Sequence, residues 1–303
     1  DVETVRLLLA HERVDVNKCL DDGATPLFIA CQQGHIEVVK SLLADPMVDV
    51  NKSLDEGATP LFIACQQGHI EIVRLLLADK RVDLDKYMDD GATPLFIACQ
   101  QGHIEVVKSL LADERVDVNK SLDDGASPLH AACYKGQVEV VRLLLADERV
   151  DVNKSLYDGA TPLCIACYKG HIEVVKLLLS DSRVDVNKSL DNGATPLYTA
   201  CQEGYVEIVR LLLSDLRVDV NKDGDDGATP LVMACQEGYI EVVRLLLTDE
   251  RVDVNKSLYD GATSLFVACE QGQVEVVRLL LANARVDVNK SLDNGATPLY
   301  IAC

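Results

Sequence analysis

Between Thr25 and Gly57 the chain runs through two stripes of helical period and one short stretch of strand period. Leu27, Ala30 and Cys31 fall on one face at helical spacing, after a threonine that can cap free amides and a proline suited to the first helical position. Gly34 supplies the left-handed turn that ends this first helix. A second helix is predicted over Ile36 to Ala44, with Ile36, Val39, Leu42 and Leu43 as its apolar stripe and Glu37 and Lys40 facing water. Val48 to Gly57 alternates briefly, then carries polar residues and paired acids before glycine, which predicts an extended finger ending in a turn. Two helices this short cannot enclose their own stripe, so adjoining segments must cover it, at about 1.5 to 3 kcal/mol for each large aliphatic side chain fully buried.

The pattern recurs every 34 residues, marked by Gly23, Gly57, Gly91, Gly125, Gly159, Gly193, Gly227, Gly261 and Gly295. Eight full units run 21–54, 55–88, 89–122, 123–156, 157–190, 191–224, 225–258 and 259–292, between a partial unit 1–20 and a partial unit 293–303. The 303 residues are therefore read as one repeat array, because an array grows in one dimension and its length does not count separate cores.

Gly-Ala-Thr-Pro-Leu, Ala-Cys-x-x-Gly-His, Ile-Glu-Val-Val and Leu-Leu-Leu…Val-Asp-Val-Asn stand in one recurring order, and over essentially the whole chain they resemble ankyrin repeats. The resemblance implies an all-α repeat solenoid: helix–turn–helix units with short β-hairpin fingers, whose concave face, made by fingers and first helices, grips partner proteins. Two departures stand out. Asp-x-Arg-Val usually replaces the family's Gly-Ala at the end of the second helix, with one extra residue, so a longer and looser connection is expected there. The histidine that usually follows Thr-Pro-Leu survives only as His130; Phe28, Phe62, Phe96, Cys164, Tyr198, Val232, Phe266 and Tyr300 replace it.

Forty-nine acidic against 29 basic side chains give a formal charge of −20, which repels phosphate backbones and anionic membranes and favours a protein partner with a basic surface. No run of apolar residues is long enough to span a bilayer, and no secretion signal opens the chain, so the default location is cytoplasm or nucleus. The array is expected to be monomeric. Because the chain opens at Asp1, and Val2, Val5, Leu8, Leu299 and Ile301 lack capping substitutions, the array is expected to continue in the natural protein.

No cofactor, catalytic residue or metal site is expected. Nine of the 11 cysteines stand 34 apart in the first helices, and packed helices lie about 8–10 Å apart, too far for the roughly 7 Å between Cα atoms that a disulfide allows. Cys19 and Cys164, outside that ladder, are the candidate reactive thiols. His35, His69, His103 and His171 form a row too widely spaced to share an ion and are expected to start helices. Asp219, Asn221, Asp223 and Gly224 resemble the first half of a calcium loop, but Pro230 stands where its closing glutamate is required. Asn17, Asn51, Asn119, Asn153, Asn187, Asn221, Asn255 and Asn289 follow Asp-Val with leucine eight residues earlier, which resembles the ankyrin-repeat sites of asparagine β-hydroxylation; the other reading is an asparagine bonding the backbone of its own turn. Asp85 breaks the series.

Variation among units falls at the finger tips, at the end of the first helix and just after Thr-Pro-Leu. Set against the resemblance, this makes His130, Tyr134, Lys135, Tyr157, Asp158, Tyr168, Lys169, Gln202 and Glu203 candidate partner-binding residues, since tyrosines and cations on a rigid scaffold can anchor a partner. Two alternatives stay open: targeting of an enzyme or effector domain outside this sequence, and a mechanical spacer without a specific ligand.

Overall fold

The computed structural model describes residues 2–303; Asp1, the first residue of the leading partial unit, lies outside them. The chain divides into two compact units, Asp1–Asp151 and Val152–Cys303. In the first, α1 (Val2–Leu9), α2 (Pro26–Gln32), α3 (Ile36–Leu43), α4 (Pro60–Gln67), α5 (Ile70–Ala78), α6 (Pro94–Gln101), α7 (Ile104–Leu111), α8 (Pro128–Lys135) and α9 (Val138–Ala146) follow in order. The second carries α10 (Pro162–Lys169), α11 (Ile172–Ser180), α12 (Pro196–Gln202), α13 (Val206–Ser214), α14 (Pro230–Glu237), α15 (Ile240–Thr248), α16 (Ser264–Glu270), α17 (Val274–Ala282) and α18 (Pro298–Ile301).

Within each unit first helices stack on first helices, as α2 on α4 on α6 on α8, and second helices on second helices, as α3 on α5 on α7 on α9. Each first helix starts where the sequence places it. Thr59 Oγ1 accepts the Phe62 N–H at 3.1 Å, and proline holds the first helical position in all of these helices but α16. Such a helix packs on nearly all sides: α4 buries Pro60, Leu61, Phe62, Ile63, Ala64 and Cys65. A second helix buries one stripe only, Ile72, Val73 and Leu76 in α5, and leaves the opposite face wet. The core is thus assembled from neighbouring repeats, as the short helices require.

The connection after the second helix is tight, contrary to the loose link expected from its missing glycine. Asp79 stays in extended backbone and needs no left-handed residue. Its carboxylate accepts the Arg81 backbone N–H at 2.9 Å and the guanidinium at 2.6 Å, while the same Arg81 Nη2 donates to Leu43 O of the preceding repeat at 2.9 Å. An aspartate–arginine clamp does the work of a glycine cap, and it ties two repeats together as well.

The fingers are turns rather than ladders. Among the described residues the only bridge of strand type joins Ser257 to Thr263. Val48 and Val50 are buried under the finger, and Leu54 N–H bonds Ala58 O at 2.9 Å across the tip. Gly57 sits there at φ +92°, and a Cβ would lie 2.9 Å from Met88 Cα of the next finger, so both the turn and the close approach demand glycine.

Candidate functional site

Two exposed surfaces dominate each unit: the outer faces of the second helices and the finger tips. On the outer faces each glutamate carries its own cation three residues on, Glu37 with Lys40 at 2.7 Å, Glu105 with Lys108 at 2.6 Å and Glu173 with Lys176 at 2.6 Å. These pairs are solvent-exposed and hold the Glu37 and Glu105 carboxyls below their ordinary range through the lysine hydrogen bond.

Most remaining cations serve as staples between repeats. Arg115, Arg149, Arg217, Arg251 and Arg285 donate to the carbonyls of Leu77, Leu111, Leu179, Leu213 and Leu247 at 2.6–2.8 Å. Each of these arginines but the last also grips an aspartate two residues earlier, as Arg81 grips Asp79, and this hydrogen bond keeps the Asp79, Asp113, Asp215 and Asp249 carboxyls below the usual carboxylate range. Lys52, Lys86, Lys188, Lys222, Lys256 and Lys290 donate to asparagine carbonyls of the preceding finger at 2.7–3.2 Å.

The finger tips receive no such compensation. Asp21, Asp22, Asp55, Glu56, Asp89, Asp90, Asp123 and Asp124 are exposed in the first unit, and among the described residues no cation pairs with them. Successive tips are joined by backbone bonds, Asp55 N–H to Asp22 O at 3.2 Å, Asp89 to Glu56 at 3.1 Å and Asp123 to Asp90 at 3.1 Å, so the carboxylates form a continuous row. The second unit carries Asp158, Asp191, Asp225, Asp226, Asp260 and Asp293 on its tips, interrupted by Tyr157, Asn192, Tyr259 and Asn294.

The candidate partner-binding residues separate on burial. His130 is 3% exposed: Nδ1 accepts the Ser127 N–H at 3.2 Å, closing a capping box at the start of α8. It offers nothing to a partner, and Phe28, Phe62, Phe96, Cys164, Val232 and Phe266 at the same repeat position are buried too, so variation there is repacking of the core except at half-buried Tyr198 and exposed Tyr300. Tyr134 and Lys135 are exposed at the end of α8, with the ammonium 5.7 Å from the ring centre. In the second unit Tyr157 is 79% exposed on a finger tip beside exposed Asp158. Tyr168, with the Lys169 ammonium 4.7 Å from its ring centre, ends α10, and Gln202 and Glu203 end α12.

The asparagine row does not bond its own turns. Asn17 Nδ2 donates to Met47 O and its Oδ1 accepts the Asp49 N–H, both at 2.7 Å, so each amide spans two fingers. Asn51, Asn119, Asn153, Asn187, Asn221 and Asn255 repeat this bridge, each with Nδ2 at 2.7 Å from a carbonyl of the next finger. The own-turn role belongs to the aspartate two residues earlier, as Asp49 Oδ1 accepts the Asn51 N–H; Asn289 shows this bond from Asp287. Asp85 can accept the Asp117 N–H but cannot donate, and burial pushes its carboxyl above the ordinary range.

The histidines also act between repeats. His35, His69, His103 and His171 precede second helices without capping them by side chain; instead His69 and His103 donate from Nε2 to Gln32 O at 3.2 Å and Gln66 O at 3.0 Å. Cys164 is no reactive thiol: it is 2% exposed, burial raises its pKa, and its Sγ lies 3.6 Å from Lys188 O. Burial likewise pushes Cys31 up to about 12. Cys19 and Cys269 are half-buried and Cys303 exposed. Asp223, in the half calcium loop, pairs with Lys256 at 3.1 Å.

Two exposed tyrosines were not singled out from sequence. Tyr205 and Tyr239 stand in the histidine row, where replacement of a small polar ring by a phenol was the visible signal.

No helix among the described residues is long and apolar enough to cross a membrane. A family model of ankyrin repeats (3 copies) matches the chain in five overlapping stretches, residues 1–53, 46–121, 114–189, 179–257 and 250–303. No curated protein matches it.

Proposed function

From the chain's membership of the ankyrin-repeat family, we propose that it is a scaffold whose row of finger-tip carboxylates docks a partner protein with a basic surface. Ankyrin repeats generally serve protein–protein interaction and form a contact fold rather than a catalytic one. The observation that carries the finer reading is where the cations go. Arginines and lysines are drawn into bonds between repeats, while the tips keep their carboxylates without counter-charge. A row of like charges on a rigid edge raises the local concentration of cationic surfaces and speeds their encounter.

Fluorescence anisotropy of a dye-labelled octalysine peptide against the full chain tests this. Saturable binding is expected, weakening as salt shortens the Debye length to about 8 Å. Replacing Asp21, Asp55, Asp89 and Asp123 by asparagine, none of which has a side-chain partner to lose, should weaken it by about tenfold. Unchanged affinity in that variant, or no saturable binding, removes the reading.

A further inference from the structure

Second helices begin beside one repeat position whose occupant can cap a helix-end carbonyl of the preceding repeat. His69, His103 and Gln273 there reach back 37 residues, His69 to Gln32 O, His103 to Gln66 O, and Gln273 Nε2 to Gln236 O at 3.2 Å, whereas Gln137 lies over Gly102 without such a bond among the described residues. Tyr205 and Tyr239 occupy the same position in the second unit, and among the described residues neither makes such a bond. Their rings lie across the glycines of the preceding repeat, as the His69 and His103 rings do; a Cβ on Gly170 or Gly204 would stand 2.8 Å from the ring Cζ. The carbonyls of Tyr168 and Gln202 are left without a side-chain donor among the described residues. Tyr205 is 36% and Tyr239 37% exposed, and Tyr168, two residues before Gly170, adds a third ring at 49%. Glu203 and Glu237 stand directly before Gly204 and Gly238 on the same helix ends.

We infer that this edge of the second unit, Tyr168, Tyr205 and Tyr239 with the uncapped carbonyls and Glu203 and Glu237, seats arginine side chains of an extended basic segment on the partner. The inference rests on the reading of this chain as a scaffold for basic proteins and names a second contact surface, away from the finger tips. Its physical basis is a match of three features. A guanidinium is planar and stacks on a phenol face, its N–H groups fan out toward carbonyl and carboxylate acceptors, and it stays charged. The edge offers those rings and acceptors together. Seating of a cation on such a ring already occurs within the chain, where Lys169 lies 4.7 Å from the Tyr168 ring centre and Lys120 lies 4.1 Å from that of Tyr87. Anionic segments are disfavoured by Glu203, Glu237 and the formal charge of −20. An ammonium can sit over one ring but cannot stack flat and bond two acceptors at once, so the edge discriminates arginine from lysine.

The test compares labelled octaarginine with labelled octalysine on the full chain, wild type and a double variant, Tyr205→His with Tyr239→His. The variant restores the residue that stands at His69 and His103, and so keeps the fold. Wild type should bind octaarginine at least about fivefold tighter than octalysine, and the variant should lose that preference while its octalysine affinity holds. Equal affinities in wild type, absent octaarginine binding, or a preference that survives the double substitution overturns the inference. Octalysine binding that responds to the finger-tip variant but not to this one leaves the finger-tip reading standing, so the two fail separately.

Discussion

The outer faces of the second helices and the finger tips are both wet and both rich in acid, yet only one of them carries net charge. On the outer faces a lysine or arginine follows each glutamate by one helical turn and neutralises it locally. At the tips the nearest cations are turned inward, bonding main-chain oxygens of the preceding repeat. The excess of 49 acids over 29 bases is therefore concentrated by stacking itself: bases bridge repeats, and acids are left where the bridges end. Cations that hold the stack and cations that merely coat it should behave differently on removal.

The largest effect is expected at a clamp. Arg251→Ala removes the bond to Leu213 O and the grip on Asp249, and should cost about 1 to 2 kcal/mol after allowing for screening at a side chain 32% exposed, read as a lowered urea midpoint. Next is a gain. Asp85→Asn restores the amide bridge that seven other fingers possess and should stabilise by about 1 kcal/mol.

Acidification gives the two carboxylate types opposite signs. The Asp215 and Asp249 carboxyls are depressed by their arginines, so their contribution is full above the ordinary carboxylate range and lost as pH falls through their lowered values. Asp85 is raised by burial, so its penalty is present at neutral pH and relieved on acidification; the advantage of Asp85→Asn measured at pH 7 should shrink by about pH 4. The smallest effect belongs to the coating. Lys108→Ala, which breaks the exposed pair with Glu105, should leave the urea midpoint unmoved, and a shift as large as that of Arg251→Ala would erase the distinction.

What could be foreseen from the chain was whatever depends on local spacing: the 34-residue period, the Thr-Pro helix starts, the glycine turns and the cysteine ladder, buried from Cys31 to Cys235 though not at Cys269 or Cys303. What escaped depends on contacts about one repeat away. Arg115 meets Leu77 O across 38 residues and Asn51 meets Arg81 O across 30, and no local pattern announces either. That is why a missing glycine looked like a loose connection and why neither reading of the asparagines included a bridge between fingers. His130 and Cys164 misled for a related reason: a polar or reactive residue type suggested chemistry, while its position after Thr-Pro-Leu, filled by phenylalanine in four other repeats, already marked core. Among candidate binding residues, tyrosines at exposed helix ends were legible, but the uncapped carbonyls beside Tyr205 and Tyr239 were not.

The most direct test removes the same charge from the two surfaces and compares the result. Asp21, Asp55, Asp89 and Asp123 changed to asparagine form one variant; Glu37, Glu71, Glu105 and Glu139 changed to glutamine form the other, with identical net charge. Octalysine affinity should fall about tenfold in the first and change less than about twofold in the second. Equal losses would mean that only total charge matters and that the finger tips hold no privileged surface.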